Sequence, residues 1–283
     1  MLILFLTLTG NFIEVDNEDK QAYCSRGCIV TVKDNLFEAG LNLPHLVVRY
    51  TLTPFRLSRL LGISNRTVRS LFTAFKESSP FKEGYDPLRN PDHFKAAMLY
   101  SICKVTSPSV VIETGVASGH STVGILSALH ELKSGHLYSI DQPGNSYNRD
   151  DGHKWQDVHN QSGPGWLVPD YLKSRWTLLL GTSSNLLPRL VEKVAAVDIF
   201  YHDSEHTYAN MLFEFEQVWP NLKEKSYLCS DNVNWNDAFL DFCRNKRLTG
   251  VSILFPYFGI VRKCRADTFS SLLSMAEPQA KLR

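Results

Sequence analysis

The chain has 283 residues, of which 43% are hydrophobic and 21% charged, the composition of an ordinary globular protein. Its formal net charge of +1 excludes a global attraction to nucleic acid or to an anionic membrane. The apolar start MLILFLTLTG has no basic region and is soon followed by Glu14 and Asp16, so we expect a buried strand or a docking segment. No stretch has the ~20 apolar residues of a membrane span. Six cysteines without a zinc-binding set indicate a reducing, cytoplasmic compartment.

Residues 57–76 resemble a helix-turn-helix, with Gly62 in the turn and Ser64 as the cap of the second helix. The apolar positions that would lock the two helices together are Leu57, Leu61, Ile63, Val68 and Leu71, while Asn65, Arg66 and Arg69 would face outward. Between residues 49 and 76 there are six basic residues and no acid, the sign that DNA binding needs. DNA binding is therefore a second hypothesis. The chain has only one such helix-turn-helix, which argues against DNA binding, because sequence-specific DNA-binding proteins of this type generally act as dimers. We expect the hairpin to pack against the rest of the chain or a partner subunit.

From about residue 85 to residue 264, predicted strands and helices alternate. The strands are 109–115, 136–141, 176–181, 197–203 and 226–232, and the helices are 121–132, 184–194, 206–222 and 235–246. This alternation predicts a parallel sheet with crossover helices. The last two strands, 251–257 and 258–264, follow each other too closely for a crossover and must form an antiparallel hairpin. We therefore predict an α/β fold: a Rossmann-like, mostly parallel seven-stranded sheet with a terminal antiparallel hairpin over residues 86–283, plus an N-terminal helical cap over residues 1–85.

A glycine-rich turn, Glu113-Thr114-Gly115-Val116-Ala117-Ser118-Gly119-His120-Ser121, follows the first strand and opens a helix. Gly115 permits a tight turn, Gly119 lets a ligand approach the main chain, and the helix N-terminus offers free N–H groups. Asp141 ends the second strand, where an acid is the usual partner for ribose hydroxyls; its alternative role is a surface acid that caps the strand.

Two further segments follow. Thr182 and Ser183 come after the third strand and Gly181, where a contact with a ligand and an ordinary helix N-cap, at Ser183 or Ser184, are equally good interpretations. Between Asp141 and Trp176 lies a long polar segment that contains His153, Trp155, His159 and Trp166. A loop of this length is usually functional or disordered, and its tryptophans favour an ordered lid over a substrate.

Polar side chains follow the ends of the fourth and fifth strands: Asp203 and His206 after one, Asp231 and Asn232 after the other. Ligands of open α/β sheets bind beyond the carboxyl ends of the strands, so these side chains should converge. Two carboxylates and an amide oxygen are hard ligands suited to Mg²⁺, Mn²⁺ or Ca²⁺. The alternatives are a helix N-cap for Asp203 and a strand-end turn for Asp231.

With these motifs, residues 90–264 resemble the class I S-adenosylmethionine-dependent methyltransferases, most closely the branch that includes small-molecule and sugar O-methyltransferases. The resemblance implies S-adenosylmethionine as cofactor, with its amino-acid carboxylate at the helix N-terminus and its positive part facing Glu113. The implied cofactor-binding residues are Glu113, Gly115, Gly119, Ser121, Asp141, Thr182 and Ser183. Asp203, Asp231 and Asn232 resemble the metal set of catechol-type O-methyltransferases, and His206 stands where those enzymes place their lysine base.

The implied reaction is O-methylation of a hydroxyl on a small molecule or sugar, assisted by Mg²⁺ or Mn²⁺, with His206 and Asp203 as catalytic residues. His206 would take the proton, with an unperturbed pKa of ~6.5. We expect no nucleic-acid partner, no membrane span and, through the cap, a homo-oligomer. A third hypothesis is a methyltransferase-like protein without activity. The intact glycine turn with Glu113 and Asp141 argues against it.

Overall fold

The computed structural model describes residues 53–81, 84–85, 90–142, 163–254 and 257–264, together with the backbone of 146–148 and 154–156. The apolar N-terminus, Cys24, Cys28, Arg49, His153, His159 and the side chain of Trp155 lie outside the described residues. Within the described part of the chain, no helix is long and apolar enough to cross a membrane.

A seven-stranded sheet forms the centre of the fold, in the spatial order β5-β2-β1-β6-β7-β9-β8. The strands are β1 Val110–Thr114, β2 His136–Asp141, β5 Trp176–Leu180, β6 Val197–His202, β7 Leu222–Ser230, β8 Ser252–Leu254 and β9 Phe258–Arg262, and β3 Ser146–Asn148 pairs with β4 Lys154–Gln156 in a separate hairpin. The run from β5 to β7 is parallel, whereas β9 is antiparallel to both β7 and β8. The predicted Rossmann-like sheet with its terminal antiparallel hairpin is confirmed.

Helices cover both faces of this sheet. They are α1 Thr53–Leu61, α2 Asn65–Ser78, α3 Pro91–Thr106, α4 His120–Leu132, α5 Ser183–Val194, α6 Tyr208–Val218 and α7 Ala238–Asn245. Consecutive residues of β6 pack into different hydrophobic clusters on opposite faces of the sheet. Ile199 packs with α3 and α4, whereas Phe200 packs with α5, α6 and α7. Both faces of the sheet are therefore buried, as the continuous apolar strands predict.

The helix α3 lies very close to α4. A Cβ atom on Gly124 would lie only 2.4 Å from the carbonyl oxygen of Ala96, so only glycine allows this approach. Residues Ala96–Cys103 of α3 are buried almost without interruption. As a result, the N-terminal end of α3 is held against the carboxyl ends of the central strands.

The N-terminal hairpin of α1 and α2 packs on the same side of the sheet as α3. Leu57, Val68 and Phe75 are fully buried there. The Arg56 guanidinium donates a hydrogen bond to the carbonyl of Ile253 at 3.1 Å, which ties α1 to β8. Ser64 caps α2 as expected, since its hydroxyl accepts from the Thr67 N–H at 3.0 Å. The expected packing of residues 57–76 against the rest of the chain is confirmed.

Two element boundaries differ from the sequence expectation. Helix α6 ends at Val218, and Trp219–Asn221 form a 3₁₀ turn because Pro220 cannot continue an α-helix. Strand β7 therefore begins at Leu222 rather than at residue 226. The long segment after Asp141 contains the β3–β4 hairpin and a 3₁₀ helix, Asp170–Arg175.

Candidate active site

Gly115 brings the glycine-rich turn into direct contact with the end of β6. Its φ is +81°, and a Cβ there would lie 1.9 Å from the backbone oxygen of Asp203. The Asp203 N–H donates to the carbonyl of Thr114 at 2.8 Å. These backbone contacts therefore place the turn after β1 directly beside Asp203 at the end of β6.

Asp141 holds the glycine turn from the side of β2. Its Oδ2 accepts hydrogen bonds from the N–H groups of Val116 at 2.7 Å and Ala117 at 3.1 Å. The residue is only 2% exposed, so the alternative of a surface acid is wrong. Asp141 therefore lies beside the glycine-rich turn, as it must if both are to contribute to one cofactor site.

Glu113 faces the interior of the domain. Its carboxylate accepts hydrogen bonds from three hydroxyls: Ser121 at 2.7 Å, Thr122 at 2.8 Å and Ser139 at 2.7 Å. Burial raises the pKa of Glu113 to about 7, although these hydroxyls act in the opposite direction. Glu113 therefore anchors the first turn of α4 to β1 and β2, and its contact with a cofactor stays a prediction.

The end of the long segment lies over the glycine turn. Gly119 has φ +97° and serves as the N-cap of α4 without a side-chain cap. The Gly165 N–H donates to the carbonyl of Ala117 at 2.8 Å, and the Leu167 N–H donates to that of Ser118 at 3.0 Å. Trp166 between them is 42% exposed. This part of the predicted lid is ordered against the candidate cofactor site.

The turn after β5 differs from the expected capping arrangement. Thr182 caps α5 by accepting from the Asn185 N–H at 3.3 Å, so the expectation of Ser183 or Ser184 as N-cap is wrong by one residue or two. Ser183 belongs to the first turn of the helix, and its hydroxyl donates to the Asn210 side chain at 3.3 Å.

Asp203, His206 and Asp231 converge at the carboxyl ends of β6 and β7. One potential ligand atom from each lies within 4.8 Å of the others. The His206 Nε2 atom is 3.5 Å from Asp203 Oδ1 and 3.4 Å from the Asn232 side-chain nitrogen. Thr207, not Asp203, caps α6, so the capping role considered for Asp203 is wrong.

Lys95, which the sequence analysis missed, completes this cluster. Its Nζ lies 2.6 Å from Asp231 Oδ2 and 2.8 Å from Asp92 Oδ1. The other oxygen of Asp231, Oδ1, is buried and accepts no hydrogen bond from any residue that the structure describes. Lys95 thus fixes Asp231 through one oxygen and leaves the second to another partner. Lys95 lies between the buried residues Phe94 and Ala96 of α3.

Burial shifts the pKa values of the side chains in this cluster. It raises the pKa of Asp231 to about 6 and that of Asp203 above its ordinary value, while Lys95 acts against both shifts. Burial also lowers the pKa of His206 from its ordinary value to about 3. His206 is therefore neutral at physiological pH and has one ring nitrogen with a free lone pair.

This donor set fits a divalent cation. Carboxylates suit Mg²⁺ and Mn²⁺, and a neutral imidazole nitrogen is a common metal ligand. Asp231 Oδ1 supplies the direct observation, because a buried carboxylate oxygen without a partner is costly unless something binds it.

Comparisons with known proteins agree with this geometry. Residues 112–233 match a family model described as a methyltransferase domain. Similar solved structures include the calicheamicin methyltransferase CalS11 (15% identity, 70% of this chain and 91% of that chain, TM-score 0.53), the Podospora anserina methyltransferase PaMTH1 (12%, 70% and 88%, 0.44) and the O-methyltransferase NovP (13%, 74% and 100%, 0.47). No curated protein matches the sequence.

The matched domain spans the glycine-rich turn, Asp141 and the Asp203–Asp231 cluster. The CalS11 likeness shows that the two chains share this fold over 70% of this chain. Residues 112–233 are accordingly similar to a methyltransferase domain, and the fold is the one that CalS11 shares.

Proposed function

We propose that the chain transfers a methyl group from S-adenosylmethionine to a hydroxyl oxygen of a small molecule or sugar, at a site that also holds Mg²⁺ or Mn²⁺. The observation that carries this proposal is the direct contact between the glycine turn and the acid cluster. Gly115 touches the backbone of Asp203, and Asp203 shares its ligand cluster with His206 and Asp231.

The proposed cofactor residues surround the first turn of α4. Gly115 and Gly119 allow the turn to pack closely against Asp203 and Gly165, and Ser121 and Asp141 lie beside them. The N–H groups of this turn would bind the amino-acid carboxylate. Thr182 and Ser183 would contact the adenine. Glu113 would hold the first turn of α4 in place through its hydrogen bond with Ser121.

The proposed metal ligands are Asp203, Asp231 Oδ1 and the Asn232 amide oxygen, the set that the sequence predicts, and His206 Nε2 lies in the same cluster as a further donor. A bound divalent ion would lower the pKa of the acceptor hydroxyl and fix its position. Methyl transfer requires the acceptor oxygen in line with the sulfur–methyl bond, and the cluster adjoining Gly115 would hold it there.

His206 is better suited to ligation than to proton transfer. With a pKa lowered to about 3, its ring is a weak proton acceptor, whereas its neutral lone pair suits a metal. Asp203 belongs to the same proposed ligand cluster. We therefore propose that the catalytic role of Asp203 and His206 would be to hold and orient the ion that activates the acceptor hydroxyl.

Several wider assignments belong to the same proposal. CalS11 is named for calicheamicin, which is in keeping with a small-molecule acceptor rather than nucleic acid. The described cysteines Cys103, Cys229, Cys243 and Cys264 are free thiols, in keeping with a reducing, cytoplasmic compartment. We retain residues 1–85 as a cap on a methyltransferase domain of residues 86–283, and a homo-oligomer formed through that cap.

The test is methyl transfer to a panel of phenols and nucleotide sugars, measured as adenosylhomocysteine release. We expect turnover with Mg²⁺ or Mn²⁺, its loss in excess chelator and its loss in Asp231→Asn. The matched control is Glu131→Gln. Glu131 is bound by Tyr100 and Lys104 and lies about 16 Å along α4 from the first turn of that helix. Full activity in excess chelator would contradict the metal, and the absence of transfer to any hydroxyl compound would contradict the acceptor class.

A further inference from the structure

Residues 163–168, which we call the strap, cross the glycine turn and bind two of its carbonyl groups. The Gly165 N–H donates to the carbonyl of Ala117 at 2.8 Å, and the Leu167 N–H donates to that of Ser118 at 3.0 Å. Backbone polar groups that are removed from water need such partners. The strap is therefore part of the hydrogen bonding of the turn itself.

The N–H groups of the same turn are bound by Asp141. Its Oδ2 accepts from Val116 at 2.7 Å and from Ala117 at 3.1 Å. The strap also approaches the turn closely at Gly119, where a Cβ would lie only 3.0 Å from the Cα of Gly165. The turn is thus held by Asp141 through its N–H groups and by the strap through its carbonyls, and it shifts only if one of them moves.

The strap lies against the indole of Trp176, at the start of β5. Gly165 has φ +73°, and a Cβ there would lie 2.3 Å from Cη2 of the Trp176 ring. A residue with a Cβ therefore does not fit unless the ring moves. The Trp176 Nε1–H donates to Ser139 Oγ at 2.9 Å. The ring therefore cannot turn away from Gly165 without losing a hydrogen bond.

Ser139 connects Trp176 to the first turn of α4. Its hydroxyl accepts from the indole and donates to Glu113 Oε2 at 2.7 Å. The Glu113 carboxylate also accepts from Ser121 at 2.7 Å and Thr122 at 2.8 Å. Ser139 and Glu113 are fully buried, and a buried network with its partners in place is rigid. Trp176 is therefore tied to α4 through Glu113 and to the glycine turn through the strap.

We propose that Trp176 is a positioning residue for the methyl donor: it supports the strap, and the strap holds the glycine turn in the shape that binds the amino-acid end of S-adenosylmethionine. This inference rests on the proposed function, in which the glycine turn binds that cofactor. It assigns the strap to the cofactor site rather than to a lid over the acceptor. A residue on the edge strand β5 then determines cofactor affinity without touching the cofactor.

Gly165→Ala tests the contact between the strap and Trp176, and Gly163→Ala is its matched control. Both glycines have positive φ, +73° and +79°, but a Cβ on Gly163 would meet nothing within 4 Å. We expect Gly165→Ala to weaken adenosylhomocysteine binding roughly tenfold or more in calorimetry, the effect of losing at least one hydrogen bond. Gly163→Ala should leave the affinity unchanged. Equal affinities of the two variants would overturn the proposal.

Amide hydrogen exchange reports whether the strap is released. The N–H groups of Gly165 and Leu167 should exchange slowly in the wild-type protein, because both are bonded to the turn. Trp176→Leu should speed their exchange about tenfold or more. The control is Trp219→Leu, since Trp219 packs against Phe242 in the other hydrophobic cluster. Wild-type exchange at both N–H groups in Trp176→Leu would overturn the proposal.

The affinity of folded Trp176→Leu separates positioning from a merely structural role. A structural role would lower the midpoint of urea unfolding and leave adenosylhomocysteine affinity unchanged, and that result would also overturn the proposal. Trp176→Phe keeps a ring beneath the strap and should restore most of the affinity. A wild-type protein that binds no adenosylhomocysteine, but whose strap is released in Gly165→Ala, would contradict the proposed function and support the contact between Trp176 and the strap.

Discussion

Replacing Gly115 by alanine tests how the glycine turn and the acid cluster are joined. The new Cβ would lie 1.9 Å from the backbone oxygen of Asp203, whereas a close carbon–oxygen contact is about 3.3 Å. The turn and the end of β6 must therefore separate by about 1.4 Å. The positive φ adds roughly 1–2 kcal/mol of strain in a residue with a Cβ.

We expect Gly115→Ala to weaken adenosylhomocysteine binding at least tenfold, about 1.4 kcal/mol, because the shifted turn loses at least one hydrogen bond to the ligand. Calorimetry measures the affinity, and urea unfolding measures the stability. The matched control is Gly62→Ala, since Gly62 has φ +68° but open space around a Cβ. It should carry the strain of about 1–2 kcal/mol without a change in affinity. Equal affinity and equal stability of the two variants would refute the reasoning.

Three other predictions concern Gly119, Glu214 and the α1–α2 hairpin. Gly119→Val should abolish adenosylhomocysteine binding in calorimetry, because its Cβ would lie 3.0 Å from Gly165 and its methyl groups would project further; wild-type affinity would contradict this. The pKa of Glu214 is about 2 in the folded chain and ~4.3 when unfolded, so its stabilisation is complete above pH ~4.3 and declines as the pH falls towards 2. Glu214→Gln should therefore show an acid limb in urea unfolding that is shallower by up to about 1.4 kcal/mol per pH unit; an unchanged limb would count against the ionised carboxylate. The α1–α2 hairpin should not retain duplex DNA at near-physiological salt, and salt-sensitive, sequence-selective retention would restore DNA binding as a function.

The sheet and its order of helices and strands could be predicted from sequence, because their signals are local. Strand β1 begins with three β-branched apolar residues and is followed by Gly115, and β8 and β9 follow each other too closely for a crossover helix. The convergence of Asp203 and Asp231 also followed from topology, since parallel neighbours end at the same edge.

The surroundings of the acid cluster could not be predicted in this way. Lys95 lies 136 residues from Asp231 in sequence, and only the close packing of α3 and α4 at Gly124 explains its position. His202 ends an apolar strand and Glu214 lies within a helix, and neither position has a local pattern that reveals their contact. The low pKa of His206 is likewise a product of burial, which sequence spacing does not report.

The most direct test of the account uses Mn²⁺ and adenosylmethionine carrying a ¹³C label on its methyl group. If the ion binds at Asp203, His206 and Asp231, beside the turn that binds the cofactor, Mn²⁺ should strongly broaden the methyl signal of the bound cofactor. Asp231→Asn should retain the bound cofactor and lose the broadening. A sharp methyl signal in wild-type protein that has bound both the cofactor and Mn²⁺ would contradict the central claim that methyl donor and metal share one site.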